Sequence, residues 1–163
     1  MNTRHAFKAQ SAMEYLMTYG WAILIIAVVL GALFSLGVFS SSSFLGTACI
    51  PQSGFLCSNP IATATGLTVT VGQATGSSWS SVVLCFVPTG TTVPSTCSTS
   101  GYSSNSVGSL ASGQTVTATF PPGNGISTTL GTGFSGQIWA TYTSASGVSN
   151  LMTQIGTVTV KVS

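Results

Sequence analysis

The sequence predicts an α+β chain, with one long hydrophobic α-helix at the N-terminus followed by an all-β sandwich. Three observations predict it. Gln10–Phe39 is an almost unbroken apolar run that contains no proline. Beyond it, short stretches alternate apolar and hydroxyl residues with the period of two that marks half-buried strands. Charge is nearly absent: 2% of the 163 residues are Asp, Glu, Lys or Arg and 44% are hydrophobic, where an ordinary soluble domain carries about 25% charged residues.

The few charges sit at the ends. Arg4, Lys8 and Glu14 lie at the start, Lys161 lies near the end, and no Asp, Glu, Lys or Arg stands between Tyr15 and Val160. The net charge of +2 forms no basic patch that would neutralise phosphates, so a nucleic-acid partner is not expected. The single histidine, His5, stands in the leader. Residues 41–163 thus lack the His, Asp or Glu that general acid–base or Ser-His-Asp chemistry requires. No catalytic residue, cofactor or metal site is expected. The glycine-rich spots at Gly123–Gly125 and Gly131–Gly136 have no phosphate-loop lysine and read as turns.

Residues 1–9 form a short polar and basic leader. A secretory signal places its small-residue cleavage site after the apolar core. Here Ala9 precedes that core, so a cut after Ala9 leaves the hydrophobic segment on the mature chain. An uncleaved signal anchor, with Arg4 and Lys8 held inside, is the other reading. Leu16–Phe39 spans about 24 residues, or roughly 36 Å as a helix, long enough for a hydrocarbon core of ~30 Å. The β-branched Ile25, Ile26, Val28 and Val29 do not change the assignment, because in lipid such a run satisfies its backbone only as helix. Tyr15, Tyr19 and Trp21 stand where an interfacial aromatic belt falls. Ala27, Gly31 and Ser35 recur every four residues and permit close helix–helix approach. The helical segment is expected over residues 10–40, ending in a hinge at Ser40–Ser43.

Glu14 has two compatible readings. Ser11-Ala12-Met13-Glu14 matches the S-x-x-E capping box, in which both side chains satisfy free amides at a helix start. Alternatively the carboxylate needs a partner from another chain, because a charge left in a membrane costs about 2.5–3.5 kcal/mol. After a cut at Ala9, the α-amino group of Gln10 on a neighbouring subunit supplies that partner.

The four cysteines, Cys49, Cys57, Cys85 and Cys97, are even in number and follow an export-like N-terminus. They read as two disulfides formed outside the reducing cytosol. Three pairings are open, and the local pairs Cys49–Cys57 and Cys85–Cys97 are expected. Ala48–Pro60 reads as a disulfide-closed loop, flanked by prolines, that stiffens the junction of helix and domain.

Within residues 41–163 the strand signals are regular. Leu67–Val71 turns Thr68 and Thr70 away from its apolar side. Ser81–Val87 is continuously apolar, which suits a strand covered on both faces or at a subunit contact. Gln114–Phe120, Gln137–Thr143 and Gly156–Val162 alternate. Turn-rich separators fall at Gly72–Ser78, Pro88–Asn105 and Pro121–Gly133. Five to seven strands of this kind predict a sandwich of Greek-key type. Its outward face is mostly Thr and Ser, without the charges that keep sheet edges apart. Either the domain is packed into a polymer or the hydroxyl rows carry O-linked sugars. Threonine is also simply a good strand former.

The stretch KAQSAMEYLMTYGWAILIIAVVLGAL resembles the N-terminus of archaeal type IV pilins with a class III signal peptide. In that family a prepilin peptidase cuts after a Gly or Ala that follows a basic residue, and Glu stands fifth from the cut. Lys8, Ala9, Gln10 and Glu14 match those positions. The resemblance covers about the first 45 residues. It implies an Ig-like β-domain, assembly through the helix (Glu14, Ala27, Gly31, Ser35) into a homo-polymeric filament, and residence in the membrane beforehand. It also implies an assembly ATPase and a membrane platform protein as partners, and an extracellular pilus used for adhesion. Archaellins share the leader but usually lack this wording. The contrasting hypothesis is a single-pass, membrane-anchored surface protein whose aromatic side chains Trp79, Tyr102 and Trp139 serve a sugar site.

Overall fold

An apolar segment can satisfy every backbone amide within itself only as a helix. The computed structural model places one, α1, over Arg4–Ser35, 32 residues long. The structure describes residues 4–36, 46–98 and 100–163, and within α1 the side chains from Met13 on except Leu16. The hinge expected at Ser40–Ser43 lies outside the described residues, as do the side chains of Lys8, Ala9, Gln10 and Ser11. The helix runs back through the leader, whose Arg4, Ala6, Lys8 and Ala9 are all good helix formers. Ser11 is therefore inside the helix and not at its N-cap. The capping-box reading of Ser11 and Glu14 does not apply to the uncut chain, because its first free amides lie upstream. The helix ends at Ser35, with Leu36 N donating to Ala32 O at 2.9 Å.

The chain divides into two units, Met1–Ser40 and Ser41–Ser163. The second holds eight strands among the described residues: β1 Ala48–Pro51, β2 Phe55–Thr63, β3 Gly66–Gln73, β4 Trp79–Pro88, β5 Ser103–Leu110, β6 Thr115–Phe120, β7 Gly133–Ser144 and β8 Leu151–Lys161. They form a five-stranded sheet in the order β1-β8-β7-β4-β5 and a three-stranded sheet in the order β2-β3-β6. Every pairing between them is antiparallel.

The alternation read from the sequence sets the inner faces. Leu67, Val69 and Val71 of β3, Ala118 and Phe120 of β6, Ile138 and Ala140 of β7, and Val158, Val160 and Val162 at the C-terminal end are all buried. They join Val82, Leu84 and Phe86 of β4 in a single core between the sheets. Thr68 and Thr70 face outward, and their hydroxyls meet those of Thr119 and Thr117 across the β3–β6 pair, each at 3.4 Å. Strand β4, which lies between β7 and β5, is covered on both sides. Its other face (Cys85, Val87) forms a second apolar cluster with Cys97, flanked by Val83, Tyr102, Trp139 and Met152.

Eight strands stand where five to seven were expected, and particular segments differ as well. Ala48–Pro60 is not a loop: it contains β1 and most of β2, joined by a turn in which Phe55 N donates to Gln52 O at 3.0 Å. The break in the pattern of β2 is a bulge between Ser58 and Ile61, with Asn59 at φ 49°. The separator placed at Pro88–Asn105 ends early, because β5 begins at Ser103. The sheet edges also have protection that needs no charge. β1 is four residues long and ends in Pro51, β2 carries its bulge beside Pro60, and Asn105 Nδ2 donates to Thr119 O at 2.9 Å, lacing β5 to β6. Short edges, prolines and bulges all discourage pairing with a second chain.

Both disulfides are tertiary fasteners. Cys49–Cys57 joins β1 of one sheet to β2 of the other. Cys85–Cys97 ties the β4–β5 connection onto the outside of the five-stranded sheet, where Cys97 N also donates to Thr141 Oγ1 at 2.8 Å. Closing an 8-residue separation restricts the unfolded chain by about 2.5 kcal/mol. The Cys49→Ser/Cys57→Ser variant is therefore expected to unfold with stability lower by about 2–3 kcal/mol in denaturant titrations. An unchanged unfolding midpoint contradicts the fastener role.

Candidate functional site

The exposed helix is the candidate site. Met13–Ser35 is a 23-residue span containing an 18-residue window of mean hydropathy 2.3, and none of that window is buried. Four successive residues, Ile23, Leu24, Ile25 and Ile26, are 65%, 56%, 45% and 58% exposed. At about 100° per residue they cover the whole circumference. An amphipathic helix that docks on its own domain presents one apolar stripe and one polar face. This helix is apolar on every side, so the cover it requires must surround it.

Its special positions fall into place on that cylinder. Each step of four residues advances about 40° round the axis, which sets Ala27, Gly31 and Ser35 in a sector of about 80°. Gly20, missed by the four-residue spacing, falls in the same sector because seven residues make nearly two turns. A Cβ added at Gly20 or Gly31 meets nothing within 4 Å, so neither glycine is required by packing within the helix itself. Glu14 lies away from this sector, about 100° round from Gly31, and is exposed. Its carbonyl oxygen accepts a hydrogen bond from Thr18 Oγ1 at 2.9 Å. One turn on, Tyr15 and Tyr19 pack with ring centroids 4.3 Å apart. The bond between Ala9 and Gln10 lies within the helical backbone.

The three aromatics considered for a sugar site separate. Trp79 is 3% exposed and stacks on Tyr142 at 3.8 Å and 12°, with Phe55 at 5.8 Å. It is a core residue, which removes it from any surface site. Tyr102 and Trp139 come together against the Cys85–Cys97 cluster. Tyr102 Oη donates to Thr92 O at 2.6 Å, and Trp139 Nε1 donates to Gln137 Oε1 at 2.9 Å. Among the described residues no group of three or more His, Cys, Asp or Glu is placed to hold a metal ion.

No protein-family model matches the chain, and no curated protein or solved structure matches it.

Gly31→Leu fills the small-residue sector and lies outside the sequence of the β-domain. It is expected to lower self-association of the solubilised chain roughly tenfold in sedimentation while leaving the unfolding curve of the β-domain in place. Unchanged association contradicts a packing role for this sector.

Proposed function

We propose that the chain is a self-assembling structural subunit of an extracellular filament. Within that class we infer that it is an archaeal type IV pilin of the adhesion type. One observation carries the reading: the helix is apolar around its full circumference and unburied in its own chain. A lipid bilayer covers such a surface before assembly, and a bundle of identical helices covers it afterwards. The small residues Gly20, Ala27 and Gly31 let neighbouring helices approach closely.

The other features are consistent with this reading. The strand order supports an Ig-like domain: β2-β3-β6 corresponds to strands A-B-E, and β8-β7-β4-β5 to G-F-C-C′. The disulfides fit an oxidising exterior. The edges of the β-domain resist strand pairing, which leaves polymerisation to the helix. In this proposal a prepilin peptidase cuts between Ala9 and Gln10, removing the leader together with the first residues of α1. The new α-amino group of Gln10 then neutralises Glu14 of an adjacent copy as the helix leaves the membrane, driven by an assembly ATPase on its platform protein. The role is structural and not catalytic. The outward hydroxyls of Thr68, Thr70, Thr117 and Thr119 offer attachment points for O-linked sugars.

A membrane-anchored surface protein is the competing reading, because the same 23-residue span has the length and composition to cross a bilayer. Mechanical shearing of cells separates the two. The proposal predicts that the protein is released in a high-mass polymer whose first residue is Gln10. Retention of intact monomer with the membrane fraction refutes it.

A further inference from the structure

The outer face of the five-stranded sheet carries a shelf beside a wall. The wall is the β4–β5 connection, fixed over the β4 side by Cys85–Cys97 and by Cys97 N donating to Thr141 Oγ1 at 2.8 Å. Strand registers build the shelf. Cys85, Trp139 and Gln154 form one row across β4, β7 and β8, and Gln137 faces Thr157 in the next. Trp139 leans on the disulfide cluster on one side and stays half-exposed with Gln137, Gln154 and Thr157.

The hydrogen bonds assign the shelf its chemistry. Trp139 Nε1 is a donor only, so its 2.9 Å bond to Gln137 uses the amide oxygen of that residue and leaves the amide NH₂ to donate elsewhere. Gln154 Nε2 donates to Thr157 Oγ1 at 3.4 Å, which leaves Gln154 Oε1 to accept. A held indole ring therefore lies between an amide donor, an amide acceptor and a hydroxyl, with no charge among them. Lys161 lies four residues along β8 from Thr157, about 13 Å away.

We propose that this shelf is a binding site for neutral hexose polysaccharide. A pyranose ring presents an apolar C–H face that stacks on an aromatic ring and a rim of hydroxyls that both donate and accept. The shelf supplies the counterpart of each, in the pattern of a largely apolar site with a few placed polar groups. Acidic polysaccharides find no cation here. The site does not depend on polymerisation, although a filament repeating it along its length would multiply weak contacts into avidity.

The test is calorimetric titration of the full chain, held in a detergent without a sugar headgroup, with cellohexaose, maltohexaose, mannohexaose and hexagalacturonate. At least one neutral hexasaccharide is expected to bind, hexagalacturonate more weakly than that one. Trp139→Leu and Gln154→Ala are each expected to weaken binding at least tenfold. Gln154→Ala leaves the disulfide cluster untouched and so separates loss of the site from loss of the fold. Absence of binding by all three neutral sugars at millimolar concentration overturns the proposal. Equal binding by both variants, or tighter binding of hexagalacturonate, also overturns it. Because the titration uses unassembled chain, its outcome is independent of whether filaments form.

Discussion

The constraint on which the molecule depends is that α1 must be covered on every side by something apolar. Its span holds apolar side chains around the full circumference and is unburied in its own chain. At about 25 cal/mol per Å² of apolar area removed from water, leaving such a cylinder wet is prohibitive. Lipid and other copies of the helix are the two solvents that fit. Lipid tails offer no hydrophobic preference between themselves and a second helix, so the assembly proposed above rests on close packing and on neutralising polar groups. Gly20, Ala27, Gly31 and Glu14 are where this helix has the means for both.

The β-domain solves a different problem, that of staying separate without charge. Between Tyr15 and Val160 the chain has no Asp, Glu, Lys or Arg, so the usual electrostatic protection of sheet edges is missing. Covalent and steric devices replace it. A disulfide bolts the edge strands β1 and β2 together across the sandwich, a bulge beside Pro60 distorts β2, and the Asn105 amide laces β5 to β6. A second disulfide seals the outer face of β4. Unlike ion pairs, none of these weakens as salt rises.

Much of this was legible in the sequence, for identifiable reasons. The helix announces itself by composition, and β3, β6, β7 and β8 by strict alternation. The unbroken apolar run of strand β4 left open cover on both faces or a subunit contact, and the structure shows cover on both faces. β5 was invisible because SSNSVGSL offers only Val107 and Leu110 as apolar signals, and β1 and β2 were obscured by brevity and by the Asn59-Pro60 break. Trp79 shows how one residue misleads. Counted in steps of two it shares a face with Val83, Cys85 and Val87, which is the outer one. A bulge at Ser81, whose φ is 51°, shifts the register against both β5 and β7 and turns Trp79 into the core. The same alternation places Gln137 beside Trp139 correctly, but Gln154 joins them only through a bulge opposite Ile138 and Trp139. The shelf was therefore beyond the reach of sequence patterning.

The most direct test of the central claim is photocrosslinking from inside the helix. A photoreactive phenylalanine analogue is placed singly at Ile23, Leu24, Ile25 and Ile26, which point in four directions about 100° apart, and cell-surface material is irradiated. Helices surrounded by their own kind predict covalent adducts between copies of the chain from all four positions. Adducts to lipid alone, or protein adducts from a single face, contradict the account.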